Sequence, residues 1–369
     1  MKTDSFVFLK RSLQSFHAKW EAPSNIALVK YWGKYGIQLP KNPSISFTLS
    51  NCKTTTEVIF SPSENKVDLT FEFYFNKKER PDFHPKINQF FERILPYLPT
   101  LKDYHLKISS SNSFPHSSGI ASSASAMAAL ALCVVDFEKQ FHQELTEQDF
   151  FKKASFLARM GSGSAARSIK GPLSLWGKSP AFNDSSDLYA ISFESGLHPV
   201  FKKYCDTILI VDRGKKKVSS SIGHEFMNRH PFAQKRFDQA HHNCKLLKSI
   251  LKNGDIEKFF EITESEALTL HAMMMTSNPN YILMQPQTLN IINNIREYRV
   301  QTKIPISFTL DAGANVHLLY PQSERGKVIS FIKSDLLDFC QSGQFIEDKV
   351  EAVEINNLNM LIHNLKNEQ

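Results

Sequence analysis

Glycine is scarce in this sequence, with 14 residues in 369. Paired cysteine is absent. The five cysteines (Cys52, Cys133, Cys205, Cys244, Cys340) are isolated and odd in number, with no CxxC pair, which excludes a disulfide framework or zinc ribbon and fits a reduced compartment. No apolar run approaches the roughly 18 to 20 residues of a membrane span, so no membrane partner is expected. The first twenty residues hold no sustained apolar core and no small-residue cleavage site, so no export signal is expected and the cytoplasm is the predicted location. There is no internal repeat and no low-complexity linker. Neither GxxxxGK[ST] nor GxGxxG occurs, which removes the two commonest phosphate loops. The net charge of +7 is dispersed, apart from "RGKKK" at Arg213 to Lys217, and a lysine block is ordinarily a solvated turn.

What is present is a globular composition, 41% hydrophobic and 22% charged. The length exceeds what most single cores need, so two parts are expected. Thr54–Phe60 and Val67–Phe75 alternate polar and apolar residues as half-buried strands do, and Tyr104–Ser111 and "PLSLWG" read as further strands. Ile87–Leu98 has helical spacing, as does a long stretch from Gly119. Thr146 starts a capped helix that runs to Gly161. After about residue 200 the pattern restarts. Asp206–Asp212 reads as a buried strand, and Phe226–Asn253, Asp255–Met275, Pro286–Arg299 and Ser323–Cys340 read as helices. Ile306–Tyr320 predicts two strands around a turn at Asp311–Asn315. Strands and helices alternate without a regular βα period, so the predicted class is α+β, in two domains of residues 1–200 and 201–369.

Against that frame stands "SNSFPHSSGIASSASAMAALALCVV", Ser111 to Val135. A strand, a Gly/Ser loop and an apolar helix put unpartnered backbone N–H groups and the positive end of a helix dipole in one place, which suits phosphate. Small side chains let a polyphosphate approach the backbone. A Ser-capped packing helix would look the same in isolation. Two more small-residue loops change the weighing: "GSGSAARS" (Gly161–Ser168), which carries Arg167, and "VSSSIGH" (Val218–His224). Arginine among small donors suits bidentate capture of a carboxylate.

Two other islands carry charge. In "APSNIALVKYWGK" (Ala22–Lys34), a regular strand would point Lys30 and Tyr31 to opposite faces, and Trp32 reads as core packing. In "FTLDAGANVHLL", Asp311 ends an apolar strand before Ala-Gly. It fits an Asx turn, or a carboxylate aimed into a cleft to orient or deprotonate a hydroxyl. "AHHNC" and "HAMMM" read as a helix face and as core rather than as metal ligands.

Taken in order, "APSNIALVKYWGK", "NPSISFTLS", "SSNSFPHSSGIASSAS", "ARMGSGSAARS" and "FTLDAGAN" resemble diphosphomevalonate decarboxylases of the GHMP kinase superfamily, over residues 20 to 335. The resemblance implies a GHMP kinase two-part fold: an N-terminal half like ribosomal protein S5 domain 2, a ferredoxin-like C-terminal half, and an active site in the cleft between. It implies ATP-dependent decarboxylation of mevalonate 5-diphosphate to isopentenyl diphosphate, with ADP, phosphate and CO₂, through phosphorylation of the 3-hydroxyl. By the same resemblance Asp311 orients or deprotonates the hydroxyl and stabilises positive charge at C3. Arg167 holds the substrate carboxylate, and Lys30 faces the transferring phosphoryl group. Tyr31, Lys34, Ser162 and Ser164 bind substrate, mainly its diphosphate. Ser123 contacts the ATP phosphates and Mg²⁺, within a cradle that includes Ser117, Ser118, Gly119, Ala121, Ser122 and Ser125.

The sequence departs from the family at "PHSSGIASS", at Ala314 in "DAGAN", and at Gly223-His224, where the family usually has Gly-Met. A mevalonate 5-phosphate decarboxylase or mevalonate 3-kinase of the same superfamily is the close alternative. An RNA-binding module is the remote one, because the fold is shared with ribosomal proteins. It would need clustered Arg/Lys beside exposed aromatics, whereas the charges here are scattered, so no nucleic-acid partner is expected. A homodimer is left open.

Overall fold

The computed structural model describes residues 14–64, 68–115, 120–142, 144–194, 196–214 and 220–350. The chain opens with strand β1 (Phe16–Ala27), followed by the short ribbon β2 (Lys34–Tyr35) and β3 (Leu39–Pro40). Next comes β4 (Ser44–Pro62), a 19-residue strand. β5 (Thr70–Phe75), β6 (Lys78–Glu79), α1 (His84–Ile94) and β7 (Tyr104–Asn112) lead to α2 (Ser122–Lys139) and α3 (Glu147–Gly161). β8 (Leu173–Trp176) and β9 (Ala190–Ser192) precede the single turn α4 (Pro199–Lys202). Beyond it lie β10 (Tyr204–Leu209), α5 (Ser220–Phe226), α6 (Ala233–Asn253), α7 (Ile256–Met275) and α8 (Pro286–Thr302). The chain continues with β11 (Ser307–Thr309), β12 (Val316–Pro321), α9 (Arg325–Phe331) and β13 (Phe345–Val350).

β4 is long enough to serve several partners. It pairs with β1 and β7 along one stretch, with β8 at its start, and, among the described residues, with β13 at Leu49–Val350. The last contact joins both groups of strands in one sheet, ordered β11-β12-β10-β13-β4-β7-β5-β6. All pairings are antiparallel except β5 with β7. The result is the mixed α+β architecture that the irregular alternation of elements predicts.

Helix α2 is apolar on nearly every side, and Ala124, Ser125 and all of Met127 to Glu138 are buried. A helix of that kind has to be enclosed, and α2 lies in one core with β1, β4, β7, α1 and α3. Its alanines let the backbones come close. Of the two acids buried in the helix, Asp136 accepts Nε1–H from Trp20 on β1 at 2.9 Å and Glu138 pairs with Lys153. α3 begins as its cap predicts: the Thr146 side chain accepts from the Asp149 amide at 3.1 Å. No helix among the described residues is long and apolar enough to cross a membrane.

Three expectations need correction. The helix expected over Phe226–Asn253 starts only at Ala233, as α6, and Phe226 is the last residue of the separate helix α5. The segment Ser323–Cys340 is not one α-helix. α9 widens to a π turn at Ile332–Leu336 and tightens to 3-10 at Leu337–Phe339. Most relevant to the site, β1 stops at Ala27. The amides of Leu28 and Val29 both donate to Ile45 O, at 2.8 and 3.2 Å, so the ladder ends and the strand alternation is lost before Lys30.

Candidate active site

That early stop builds the site. Lys30 and Tyr31 do not point to opposite faces, since both line one cavity of 790 Å³. Asp311 reaches it from the turn between β11 and β12, and Arg167, Ser162 and Ser164 from the segment after α3. Ala121, Ser122 and Ser123 bring in the N-terminus of α2, and Lys34 lies at the start of β2.

Lys30 Nζ lies 3.1 Å from Asp311 Oδ1 and donates to Ala27 O at 2.6 Å. The lysine side chain is 2% exposed, the aspartate 29%, so the carboxylate is the open member of the pair. Burial lowers the Lys30 pKa, opposed chiefly by Asp311. Lys30 is also fixed through its backbone. Its amide donates to Glu266 Oε2 at 2.8 Å. Its carbonyl accepts from Asn42 Nδ2 at 2.9 Å and Arg236 Nη2 at 3.1 Å. Arg236 and Glu266 are themselves paired, with both side chains fully buried.

Arg167 is 3% exposed. Asn25 Oδ1 and Ser44 Oγ accept from it, the latter at 2.6 Å. Among the described residues no carboxylate stands within ion-pair distance. Burial lowers its pKa to about 10, countered by the field of Asp311, so it is a cation at neutral pH. A buried guanidinium held only by neutral acceptors is costly unless an anion arrives. The hydroxyls of Ser123, Ser162 and Ser164 form a loose chain, 3.4 and 3.5 Å apart. Among the described residues the buried Tyr31 hydroxyl has no hydrogen-bond partner, and burial raises its pKa. Gly163 is required beneath it, because a Cβ there would stand 2.7 Å from that oxygen and 2.9 Å from the Trp176 ring.

One assignment made from the serine loop differs. Ser125 does not face the cavity. It is fully buried, its hydroxyl 2.7 Å from Thr54 Oγ1, because it falls on the sheet side of α2. Ser117, Ser118 and Gly119 lie outside the described residues.

Similar proteins identify the family. Residues 22–188 match the model of a diphosphomevalonate decarboxylase-like N-terminal domain. Residues 207–368 match that of a mevalonate 5-diphosphate decarboxylase C-terminal domain. The diphosphomevalonate decarboxylase of Debaryomyces hansenii is 31% identical, over 84% of this chain and 81% of its own. The chain belongs to the diphosphomevalonate decarboxylase family. Mevalonate diphosphate decarboxylase from Staphylococcus aureus superposes with a TM-score of 0.79 at 29% identity, covering 93% of this chain and 98% of that one. A structure described as MDDEF in complex with MVAPP, AMPPCP and magnesium gives 0.78 at 26% identity, covering 93% and 100%. The fold is therefore that of the GHMP kinase superfamily.

Several residues at this decarboxylase-family site escaped the sequence reading. Asn25 and Ser44 lay inside quoted islands, and a buried arginine would have asked for such acceptors. His271 donates Nε2–H to the Asp311 carbonyl at 3.1 Å, although "HAMMM" read as core. Glu266 and Arg236 had no local signal at all, and His224 stood out only as the end of the third small-residue loop and a departure from the family.

Proposed function

We propose that this chain catalyses ATP-dependent decarboxylation of mevalonate 5-diphosphate, giving isopentenyl diphosphate, ADP, phosphate and CO₂. The observation that carries the reading is the single cavity shared by Asp311, Lys30, Arg167 and the start of α2. A tertiary alcohol is a poor leaving group until it is phosphorylated. Asp311, exposed to the cavity and 3.1 Å from Lys30, orients the 3-hydroxyl and takes up its proton as the phosphoryl group of ATP is transferred. Lys30 neutralises charge on that group. Phosphate then leaves, C1–C2 cleaves to release CO₂, and its electron pair forms the double bond to C3. Positive charge grows at C3 as phosphate departs, and the Asp311 carboxylate stabilises it. Arg167 holds the substrate carboxylate until it is lost. Lys34, Tyr31, Ser162 and Ser164 take the diphosphate. Phe73, Phe75 and Ile108 line the same cavity over β5 and β7 and offer an apolar wall for the nucleotide base.

No cluster of three or more acidic, His or Cys ligands for a metal occurs among the described residues. A serine hydroxyl at the start of α2 is a hard oxygen donor of the kind Mg²⁺ takes, an ion that keeps water and is bound largely through nucleotide phosphates. Ser123, at the cavity wall, is the hydroxyl that would hold it, and the ion would screen the phosphate charge. We place the boundary between the two parts near residue 200. A cytoplasmic location and the absence of a nucleic-acid partner belong to the same reading, with a homodimer left open. Scattered basic residues support the second.

The test is ADP release and CO₂ evolution measured in parallel with mevalonate, its 5-phosphate and its 5-diphosphate. Stoichiometric ADP and CO₂ from the 5-diphosphate is the expected result. ADP without CO₂ would make the protein a 3-kinase, and preference for the 5-phosphate would reassign the substrate.

A further inference from the structure

His224 lies on α5 and lines the cavity, yet the mechanism above does not use it. Its ring is held between two aromatic neighbours, with centroids 4.2 Å from Tyr31 and 4.6 Å from Trp32. Nδ1 accepts from the Gly33 amide at 2.9 Å. A neutral imidazole that accepts at Nδ1 carries its proton on Nε2. Among the described residues nothing accepts from that Nε2–H. The ring stays neutral, because burial, then Lys34, then Arg167 depress its pKa to about 3. The ring packs on Tyr31 and is anchored to Gly33, the residue before Lys34, so it stands beside two residues assigned to the diphosphate.

Gly33 makes the anchor specific. Its φ is +104°, and a Cβ there would stand 2.9 Å from the Phe237 ring. The turn from Trp32 to Lys34 therefore has one backbone path, and His224 closes it.

We propose that His224 is a substrate-binding residue that donates its Nε2–H to a phosphoryl oxygen of the substrate, while its Nδ1 holds the Gly33–Lys34 turn in place. This rests on the functional reading above and names a further residue within it. A neutral donor here has a physical use. It adds a directed hydrogen bond beside Lys34 without adding charge to a cavity already lined by Lys30, Lys34 and Arg167.

Two substitutions separate its roles. In His224→Asn the side-chain oxygen can replace Nδ1, but no donor reaches the Nε2 position. In His224→Gln a donor reaches that position, but the Nδ1 acceptor is lost. Steady-state kinetics should show the KM for mevalonate 5-diphosphate raised about tenfold in the Asn variant and only partly recovered in the Gln variant, whose lost Gly33 anchor lowers its melting temperature, with the KM for ATP unchanged in both. Wild-type behaviour of the Asn variant would overturn the donor role. So would equal losses in both variants accompanied by lower melting temperatures, which would make the ring a packing element. Calorimetric binding of inorganic pyrophosphate gives the second arm. Wild-type protein should bind it about tenfold more tightly than His224→Asn. Equal affinities, or no binding to wild type, would again overturn the proposal. If wild type binds pyrophosphate with that difference but releases no CO₂ from the 5-diphosphate, the functional reading fails and the phosphoryl donor stands.

Discussion

Asp311 and Arg167 are opposite cases of the same constraint. Asp311 has its countercharge, Lys30, at 3.1 Å and still shows a quarter or more of its side chain to the cavity. Arg167 is almost fully enclosed and has only an amide and a hydroxyl as fixed partners. One group is placed to act on a ligand, the other to be completed by one. Replacing Asp311 with Asn keeps the shape and removes the base. The expected result is a fall in kcat of at least about 10³-fold with the KM for ATP little changed, read from initial rates. The same substitution acts on Lys30. Asp311 is the largest influence raising the Lys30 pKa against burial, so without it the lysine loses its proton at lower pH. Residual activity of Asp311→Asn should therefore decline at a lower alkaline pH than that of wild type. An unchanged alkaline limb would disconnect Lys30 from Asp311.

At the scale of elements, the lysine depends on two helices far away in sequence. α6 supplies Arg236 and α7 supplies Glu266, and together they grip the amide and carbonyl of residue 30. Glu266→Gln leaves Arg236 buried without its countercharge, which typically costs about 3 to 5 kcal/mol. The double variant Arg236→Met with Glu266→Leu should recover much of that stability in urea denaturation. Its kcat should stay low, since the Lys30 amide then has no acceptor and only Asn42 still holds the carbonyl. Recovery of both would show that the pair only supports packing. This arrangement also explains what could be read from the sequence. Local chemistry announced the α3 cap at Thr146, the small-residue loops and the acid that follows β11. Neighbouring residues decide those features. Where β1 ends depends on Ile45 accepting two amides, which only pairing with β4 creates. Ser125 could not be separated from Ser123 until the sheet side of α2 was known. Glu266 and Arg236 look like any charged residues on amphipathic helices until burial removes their solvent.

For the whole molecule, the cavity is a cationic cup whose wall is completed by α5 against the turn after β1. Lys30, Lys34 and Arg167 line it, and Asp311 supplies the facing carboxylate. Burial first, and then the charges of Lys34 and Arg167, disfavour a proton on His224, so its pKa falls to about 3 from 6.5. The unfolded chain takes up that proton as the pH drops below about 6.5, while the folded chain refuses it until near pH 3. The unfolded state thus binds more protons across that window, and folding stability, complete at neutral pH, is lost as the pH falls through it. One such group costs about 2 kcal/mol between pH 7 and pH 5. His224→Asn keeps an acceptor for Gly33 and cannot titrate. Guanidinium denaturation at the two pH values should therefore show wild type losing about 2 kcal/mol more than the Asn variant over that interval. Equal losses would mean that the ring is protonated in the folded protein, and that the cup tolerates a charge this geometry says it should reject.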